Sequence, residues 1–165
     1  MDKDEEADLV TGLGRRLGMR YLTLGAEKTI VSMPVAGNTQ VFGVLHGGAT
    51  AALCETAASA AALLHARTLS VPGRKENKDE ETGRKEAQPP DSLSISSTVE
   101  DMIAVGTEMS ISHLRPATGA EVIATATAEH LGRTRTVHAV RVNDERGRLI
   151  ATALVTNALV EKKPR

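Results

Sequence analysis

The spacing of apolar residues changes along the chain, and each spacing predicts a different element. Residues 5–17, "EEADLVTGLGRRL", repeat apolar side chains at helical spacing, which predicts a short amphipathic helix. The stretch "YLTLGAEKTIVSMPV" at 21–35 predicts two short strands with a turn near Gly25 and Ala26. An alanine-rich run over about 47–66 predicts one long helix.

From Leu93 onward apolar and polar residues alternate, which is the period of a strand with one buried face. The alternating runs cover 93–99, 109–113, 122–128, 140–142 and 149–155. The segments "PATGAE" and "NDERG" supply turn residues between neighbouring runs, so we expect antiparallel hairpins. One long helix among five or more antiparallel strands predicts an α+β domain in which the sheet wraps the helix.

The two sides of the long helix differ on a helical wheel. One stripe is entirely apolar and is predicted to pack into the sheet; it contains Leu53, Ala57, Ala60 and Leu64. The roughly opposite side carries Glu55 and Ser59 one turn apart, beside Ala51, Ala58 and Ala62. Because that side is otherwise apolar and the sheet is expected to cover only one side, we expect a second chain to cover it.

A highly charged segment follows the predicted helix. Residues 74–86 hold five acidic and five basic side chains, a composition that cannot bury apolar surface. We therefore expect a flexible, solvated loop at about 70–91 within a single domain that spans 1–165. A plain linker insertion and a regulatory or partner-binding segment both remain open.

Composition and charge exclude several classes of partner. Twenty basic and 21 acidic residues give a net charge of −1, and no basic stripe stands out, so nucleic acid is not expected. The start "MDKDEEAD" is acidic and no long uninterrupted apolar window occurs, so we expect a cytoplasmic protein without membrane contact. The single cysteine, Cys54, is predicted to be a small buried hydrophobe. The histidines show no ligand spacing, so no metal site is expected.

The start of the long helix points to a binding site. First-turn N–H groups are normally met by Ser, Thr, Asp or Asn, and none of these precedes Gly47. We therefore expect a helix without a side-chain cap, in which Gly47 and Gly48 let a ligand approach free donors at the positive end of the helix dipole. Such donors suit a developing oxyanion. A tight turn without a ligand is the alternative.

The residues around this start resemble a known family. "GVLHGGATAALCETAASAA", followed by "SISHLRPATGAEVIATATAEHLGRTRTVHAVRVNDERGRLIATALVT", resembles the hotdog-fold acyl-CoA thioesterases. The similar branch includes the phenylacetate-pathway, hydroxybenzoyl-CoA and dihydroxynaphthoyl-CoA thioesterases, and the resemblance covers roughly residues 9–160. It implies a hotdog fold and hydrolysis of an aromatic or medium-sized acyl-CoA to free acid and coenzyme A, with no cofactor beyond water.

The resemblance also implies catalytic roles, residue by residue. Glu55 matches the catalytic carboxylate, which acts as nucleophile or as general base for water. Gly47 matches the residue whose N–H polarises the thioester carbonyl, and His46 and Gln40 match side chains that line the thioester. Ser59 matches a residue that holds the attacking water. Taken singly, His46, Gln40 and Ser59 are better explained as ordinary loop, surface and helix residues. Their joint spacing around Glu55 favours the functional interpretation.

A second group of residues is expected to contact the substrate. His113 falls near a further active-site position of the family, and Gly48 extends the glycine pair at the helix start. Arginines can meet the phosphates of coenzyme A, although exposed arginines near strand ends are common. The expected substrate-binding residues are Gly48, His113, Arg115, Arg133 and Arg135.

The spacing of Gly47 and Glu55 predicts a homodimer. Eight residues of helix separate them, a rise of roughly 12 Å, whereas both must reach one thioester carbonyl within about 3 Å. Two antiparallel helices related by a two-fold axis would place Gly47 of each chain beside the partner's Glu55. We therefore expect an obligate homodimer with two composite sites; pairing of dimers into a tetramer stays open.

Two other functions remain open. Hotdog dehydratases and hydratases also act on acyl thioesters, and a non-catalytic module would bind an acyl-CoA without cleaving it. Release of free thiol distinguishes hydrolysis from both.

Overall fold

The computed structural model describes Val10 and residues 12–69 and 102–162. These described residues contain two helices, α1 (Gly12–Arg16) and α2 (Gly47–Leu69). The strands are β1 (Arg20–Thr23), β2 (Lys28–Pro34), β3 (Met102–His113), β4 (Glu121–Leu131), β5 (Arg135–Asp144) and β6 (Leu149–Glu161).

All six strands form one antiparallel sheet in the order β1-β2-β4-β5-β6-β3. Helix α2 packs against five of these strands, β2 to β6, so the sheet wraps around it. The predicted α+β architecture is therefore confirmed. The β1–β2 turn and the β5–β6 hairpin lie where the turn residues predicted them. The hairpin expected at "PATGAE" was wrong, because this segment joins β3 to β4 and these strands do not pair: β3 pairs with β6, and β4 pairs with β2 and β5.

The period-two pattern corresponds to the inner face of the sheet. In β4, Val122, Ala124 and Ala126 are fully buried, while the residues between them are half-buried. Alanines on the strands meet alanines on the helix, and Ala57 and Ala61 are also fully buried. Small side chains on both sides allow the helix to lie close to the sheet, which is how a core nearly free of aromatic residues is filled.

The prediction of the helix faces was wrong in part. Leu53 and Ala57 are buried as expected, but Ala60 and Leu64 are only partly covered, and both line an open pocket. Ala58 and Ala62, assigned to a second chain, are fully buried within this chain. The buried positions of α2 span more than half of its circumference at about 100° per residue, because the curved sheet covers more than one side.

Three predictions fall wholly or partly on residues that the structure does not describe. The helix expected over 5–17 is present as the single turn of α1, and residues 5–9 and 11 lie outside the described residues. The charged loop at about 70–91 and the run at 93–99 also lie outside them. Helix α2 is long and apolar enough to cross a membrane by length and composition, but it is the core helix of this fold.

Candidate active site

Helix α2 begins with a side-chain cap that the sequence did not predict. The Nδ1 atom of His46 accepts a hydrogen bond of 2.8 Å from the Gly48 N–H, so His46 occupies the N-cap position. The His46 carbonyl accepts bonds from the Ala49 and Thr50 N–H groups, at 3.0 and 3.1 Å. The expectation of an uncapped helix was therefore wrong, since a histidine ring nitrogen serves where Ser, Thr, Asp or Asn is usual.

The cap leaves one donor of the first turn available. The amides of Gly48, Ala49 and Thr50 are all engaged, whereas the Gly47 N–H has no hydrogen bond to any residue that the structure describes. It lies at the positive end of the helix dipole. Gly47 is thus the one first-turn residue that offers a free donor here, and the substrate contact expected for Gly48 stays a prediction.

A first pocket surrounds Gly47. Its volume is about 410 Å³, and its lining includes three of the predicted residues, Gln40, His113 and Arg115. The His113 ring packs against Gly47 so closely that a Cβ atom added to this glycine would lie 3.2 Å from Nε2. Arg115 donates a 2.8 Å hydrogen bond to the Leu149 carbonyl and remains exposed.

The loop that carries Gln40 is held by a buried asparagine. The Asn38 side-chain NH2 group donates bonds of 2.8 Å to the backbone carbonyls of Leu17 and Pro34, and the Asn38 backbone carbonyl accepts a 2.9 Å bond from the His46 N–H. These bonds tie the loop to both the sheet and the start of α2. The backbone of the loop that carries Gln40 is therefore held near the start of α2.

A second pocket contains Glu55 and Ser59. Glu55 is exposed, and the Ser59 Oγ lies 3.5 Å from its Oε1 atom. This pocket has a volume of about 380 Å³ and a largely apolar wall that includes Leu13, Tyr21, Leu24, Leu63 and Leu64. Burial raises the pKa of the Tyr21 phenol, so this residue presents a neutral hydroxyl. Arg67 lines the pocket further along the same helix.

Two residues that the sequence analysis did not identify border Glu55. Gly106 on β3 and Asn157 on β6 are register partners, and Gly106 leaves room for the carboxylate, since a Cβ atom there would lie 2.8 Å from Oε1. Asn157 is fully buried, and its Oδ1 atom accepts a 2.9 Å bond from Ser59. Two signals were present in the sequence: glycine inside a strand, and a polar residue in the inward register of β6.

A β-bulge places both pockets on the same side of β3. The register shifts between Gly106 and Glu108, so Thr107 is an extra residue without a partner on β6. Gly106 and His113 are seven residues apart and would face opposite sides of a regular strand. Because of the bulge, both residues face α2. Gly106 lies against Glu55, and His113 lies against Gly47.

The predicted residues therefore form two groups within one chain. Gln40, Gly47, His113 and Arg115 share the first pocket, whereas Glu55 and Ser59 share the second. Arg133 and Arg135 line neither pocket. Arg135 begins β5, opposite Ala158, whereas Arg115 contacts the other end of the β5–β6 pair at Leu149.

Cys54 is not a competing nucleophile. It is fully buried, as predicted, and burial raises the pKa of its thiol to about 12, so it remains protonated at neutral pH. Among the described residues, no group of three or more His, Cys, Asp or Glu side chains is placed to hold a metal ion. Glu55 is the carboxylate that lines the second pocket.

Comparison with known proteins identifies related sequences and structures. Residues 42–151 match the profile of the Thioesterase superfamily. The chain is 31% identical over 155 residues to the proofreading thioesterase EntH of Cronobacter turicensis, covering 93% of this chain and 90% of that protein. It is 32% identical over 145 residues to EntH of Klebsiella pneumoniae, covering 87% and 82%.

One solved structure is similar to this chain over nearly its whole length. A mutant of thioesterase PA1618 from Pseudomonas aeruginosa superimposes with a TM-score of 0.71 at 27% identity, over 98% of this chain and 96% of that one. The predicted hotdog fold is therefore confirmed.

Proposed function

Because the chain belongs to the thioesterase superfamily and is a thioester hydrolase, we propose that it cleaves an acyl-CoA to the free acid and coenzyme A. The observation that carries this proposal is the position of Glu55. Its exposed carboxylate stands in a largely apolar pocket, beside the Ser59 hydroxyl. A base next to a hydroxyl that can hold water, at the end of an apolar pocket, suits hydrolysis of an acyl thioester.

The reaction consumes one water molecule. Glu55 takes a proton from water as the water oxygen adds to the thioester carbon, and the Gly47 N–H stabilises the resulting oxyanion. The C–S bond then breaks, and the departing thiolate takes up the proton. In the other route, the Glu55 carboxylate attacks the carbon and forms an anhydride that water opens. Both routes yield one acid and one thiol.

The two pockets suit the two ends of the substrate. The second pocket has the apolar lining and the volume for an aromatic or medium-sized acyl group. The first pocket carries Arg115 and the Gly47 donor, so it suits the thioester oxygen and the adjoining part of coenzyme A. Gln40 and His113 lie where they can contact the thioester itself.

This assignment requires two chains. Gly47 and Glu55 of one chain lie in different pockets, so one thioester cannot reach both. We therefore propose a homodimer in which the partner's Gly47 completes the site at Glu55. Ala58 and Ala62 are buried within the chain and do not need a second chain to cover them. Support for the dimer comes from the separation of the two pockets.

The edge of the sheet offers a surface through which two chains can pair. Among the described strands, β3 ends the sheet order, and it exposes Val105 and Met109. A long strand edge without a partner among the described residues is a template for another strand. If two β3 strands paired antiparallel with the two-fold axis near Met109, Gly106 of one chain would lie near the partner's His113. Glu55 would then approach the partner's Gly47.

The test is a panel of acyl-CoA substrates read out by release of free thiol. We expect hydrolysis of at least one aromatic or medium-chain substrate, and Glu55→Gln should lower kcat by at least about a hundredfold, the range for a positioned base. Glu129→Gln, an exposed carboxylate on β4, is the matched control and should keep parental activity. Near-normal turnover in folded Glu55→Gln would remove this carboxylate from the mechanism. Saturable binding without thiol release would indicate a binding module instead.

A further inference from the structure

Asn157 is a polar side chain in an apolar row. It lies on the inner face of β6 between Val155 and Leu159, both buried, and is itself fully buried. A buried amide is costly unless its hydrogen-bonding groups have partners. Its Nδ2 group has no hydrogen-bond partner among the described residues. An apolar residue would pack here at lower cost, so the retained amide calls for a role other than packing.

The hydrogen bonds around Asn157 lead directly to Glu55. Ser59 Oγ lies 2.9 Å from Asn157 Oδ1 and 3.5 Å from Glu55 Oε1. A serine hydroxyl has one proton to donate. While this proton points to Asn157, Ser59 presents only lone pairs to Glu55, so it cannot stabilise an ionised carboxylate. It can accept a hydrogen bond from a protonated one.

Rotation of the amide reverses this chain of hydrogen bonds. The oxygen and the NH2 group of an asparagine are nearly the same size, so both orientations fit one site. With the NH2 group facing Ser59, Asn157 donates to the Ser59 oxygen and the Ser59 proton turns to Glu55. The rotation also gives the unpartnered NH2 group an acceptor.

We propose that Asn157 is a positioning residue, which sets the direction of the Ser59 proton to match the protonation state of Glu55. When Glu55 is protonated, hydrogen bonds run from Glu55 to Ser59 to Asn157. When Glu55 is ionised, they run from Asn157 to Ser59 to Glu55. Asn157 touches neither substrate nor water in this scheme. The inference rests on the proposed function, because it assumes that Glu55 changes protonation during turnover.

The first test compares Asn157→Leu with Thr136→Val. Thr136 is the register partner of Asn157 on β5 and is equally buried. Its hydroxyl also has no hydrogen-bond partner among the described residues, so it makes no hydrogen bond to Ser59. We expect Asn157→Leu to lower kcat by about tenfold or more with little change in KM, because the loss falls on the chemical step. Its melting temperature should stay level or rise. Thr136→Val should keep parental kcat.

A double-mutant cycle tests whether Asn157 acts through Ser59. If it does, the variant that combines Ser59→Ala with Asn157→Leu should be no slower than Ser59→Ala alone. The proposal would be contradicted if the double variant lost kcat by the product of the two single losses. It would also be contradicted if folded Asn157→Leu kept the parental kcat.

A further measurement does not depend on hydrolysis. In the parental protein, the Asn157 side-chain amide resonances, identified by their loss in Asn157→Leu, should shift when the pH of the sample is lowered stepwise. They should stay constant over the same pH range in Glu55→Gln and in Ser59→Ala. Resonances that do not move in the parental protein would refute the relay even if thioester cleavage is observed. Movement without thiol release would instead support the relay and count against the proposed function.

Discussion

At the scale of single residues, the space around Glu55 is set by side chains that are far apart in sequence. Gly106 has no side chain and so leaves room for the carboxylate, and the Ser59 hydroxyl beside it is hydrogen-bonded to Asn157. Each of these residues is unremarkable alone. Their effect depends on the pairing of β3 with β6 and on the packing of α2 across both strands.

Gly106 provides a direct test of this arrangement. A methyl group at this position would lie 2.8 Å from Glu55 Oε1, the flexible end of an exposed side chain. We expect Gly106→Ala to displace the carboxylate at little cost to stability, so kcat should fall by about tenfold or more. The melting temperature should stay within a few degrees, measured by thermal denaturation beside the activity assay. Unchanged kcat would show that the carboxylate acts from another rotamer.

The cap of α2 leads to a second prediction at a single residue, His46. Loss of the His46 Nδ1 acceptor leaves the Gly48 N–H without its partner, so His46→Ala should lower the free energy of unfolding by about 1 kcal/mol. His46→Asn places a good capping side chain at the same position and should keep most of the stability. Urea denaturation midpoints measure both. Equal stability of His46→Ala and the parental protein would show that the cap is not a stabilising contact.

At the scale of elements, the irregularity of β3 matters more than its regular pairing. The extra residue Thr107 lets Gly106 and His113 face the same helix, so one strand serves both pockets. A bulge in this position re-aims side chains without interrupting the sheet. Strand β3 therefore borders both pockets of the candidate active site and also ends the order of the described strands.

Deletion of Thr107 tests whether the bulge in β3 is needed for activity. Without the extra residue, one segment of β3 must shift by one position, and its side chains turn to the other face. We expect activity to fall by at least about a hundredfold, since either Gly106 or His113 then leaves the site. Thr107→Ala, which loses only the 3.1 Å bond to the Thr156 carbonyl, should keep activity within a few-fold. Comparable activity in the two variants would argue against a role for the bulge.

At the scale of the whole molecule, a single chain places two of the predicted catalytic groups in separate pockets. Gly47 lines one pocket and Glu55 lines the other, and the proposed dimer pairs two chains through the edge of β3. In the proposed dimer each chain contributes one half to each of two equivalent sites. Subunit mixing can therefore test the assembly and the mechanism in one experiment.

Glu55→Gln and Gly47→Pro should each be inactive, because the first removes the carboxylate and the second removes the N–H. Heterodimers of the two should regain part of the activity, since one of their two composite sites contains both an intact Gly47 and an intact Glu55. Thiol release is measured after subunit exchange, with exchange verified on differently tagged chains. If verified, folded heterodimers remain inactive, each site must lie within one chain.

The sequence by itself determined the class of fold. Residues that repeat every second position fixed four of the five predicted runs as strands, and the alanine-rich run fixed the long helix and its start at Gly47. These features are local, because side-chain periodicity reports which face of an element is buried. The "HGGATAALCETAAS" segment also located the helix start and the carboxylate. The catalytic and binding roles given to these residues stay predictions.

Only the tertiary structure decided which face of the helix is buried and what surrounds Glu55. A helix that is apolar nearly all round gives no preferred direction on a wheel, so the curvature of the sheet determined that Ala58 and Ala62 are covered. The Gly106–Asn157 pair joins residues that are 51 positions apart along the chain. Its position follows from strand order and a one-residue bulge, and neither property is a local feature of the amino-acid pattern.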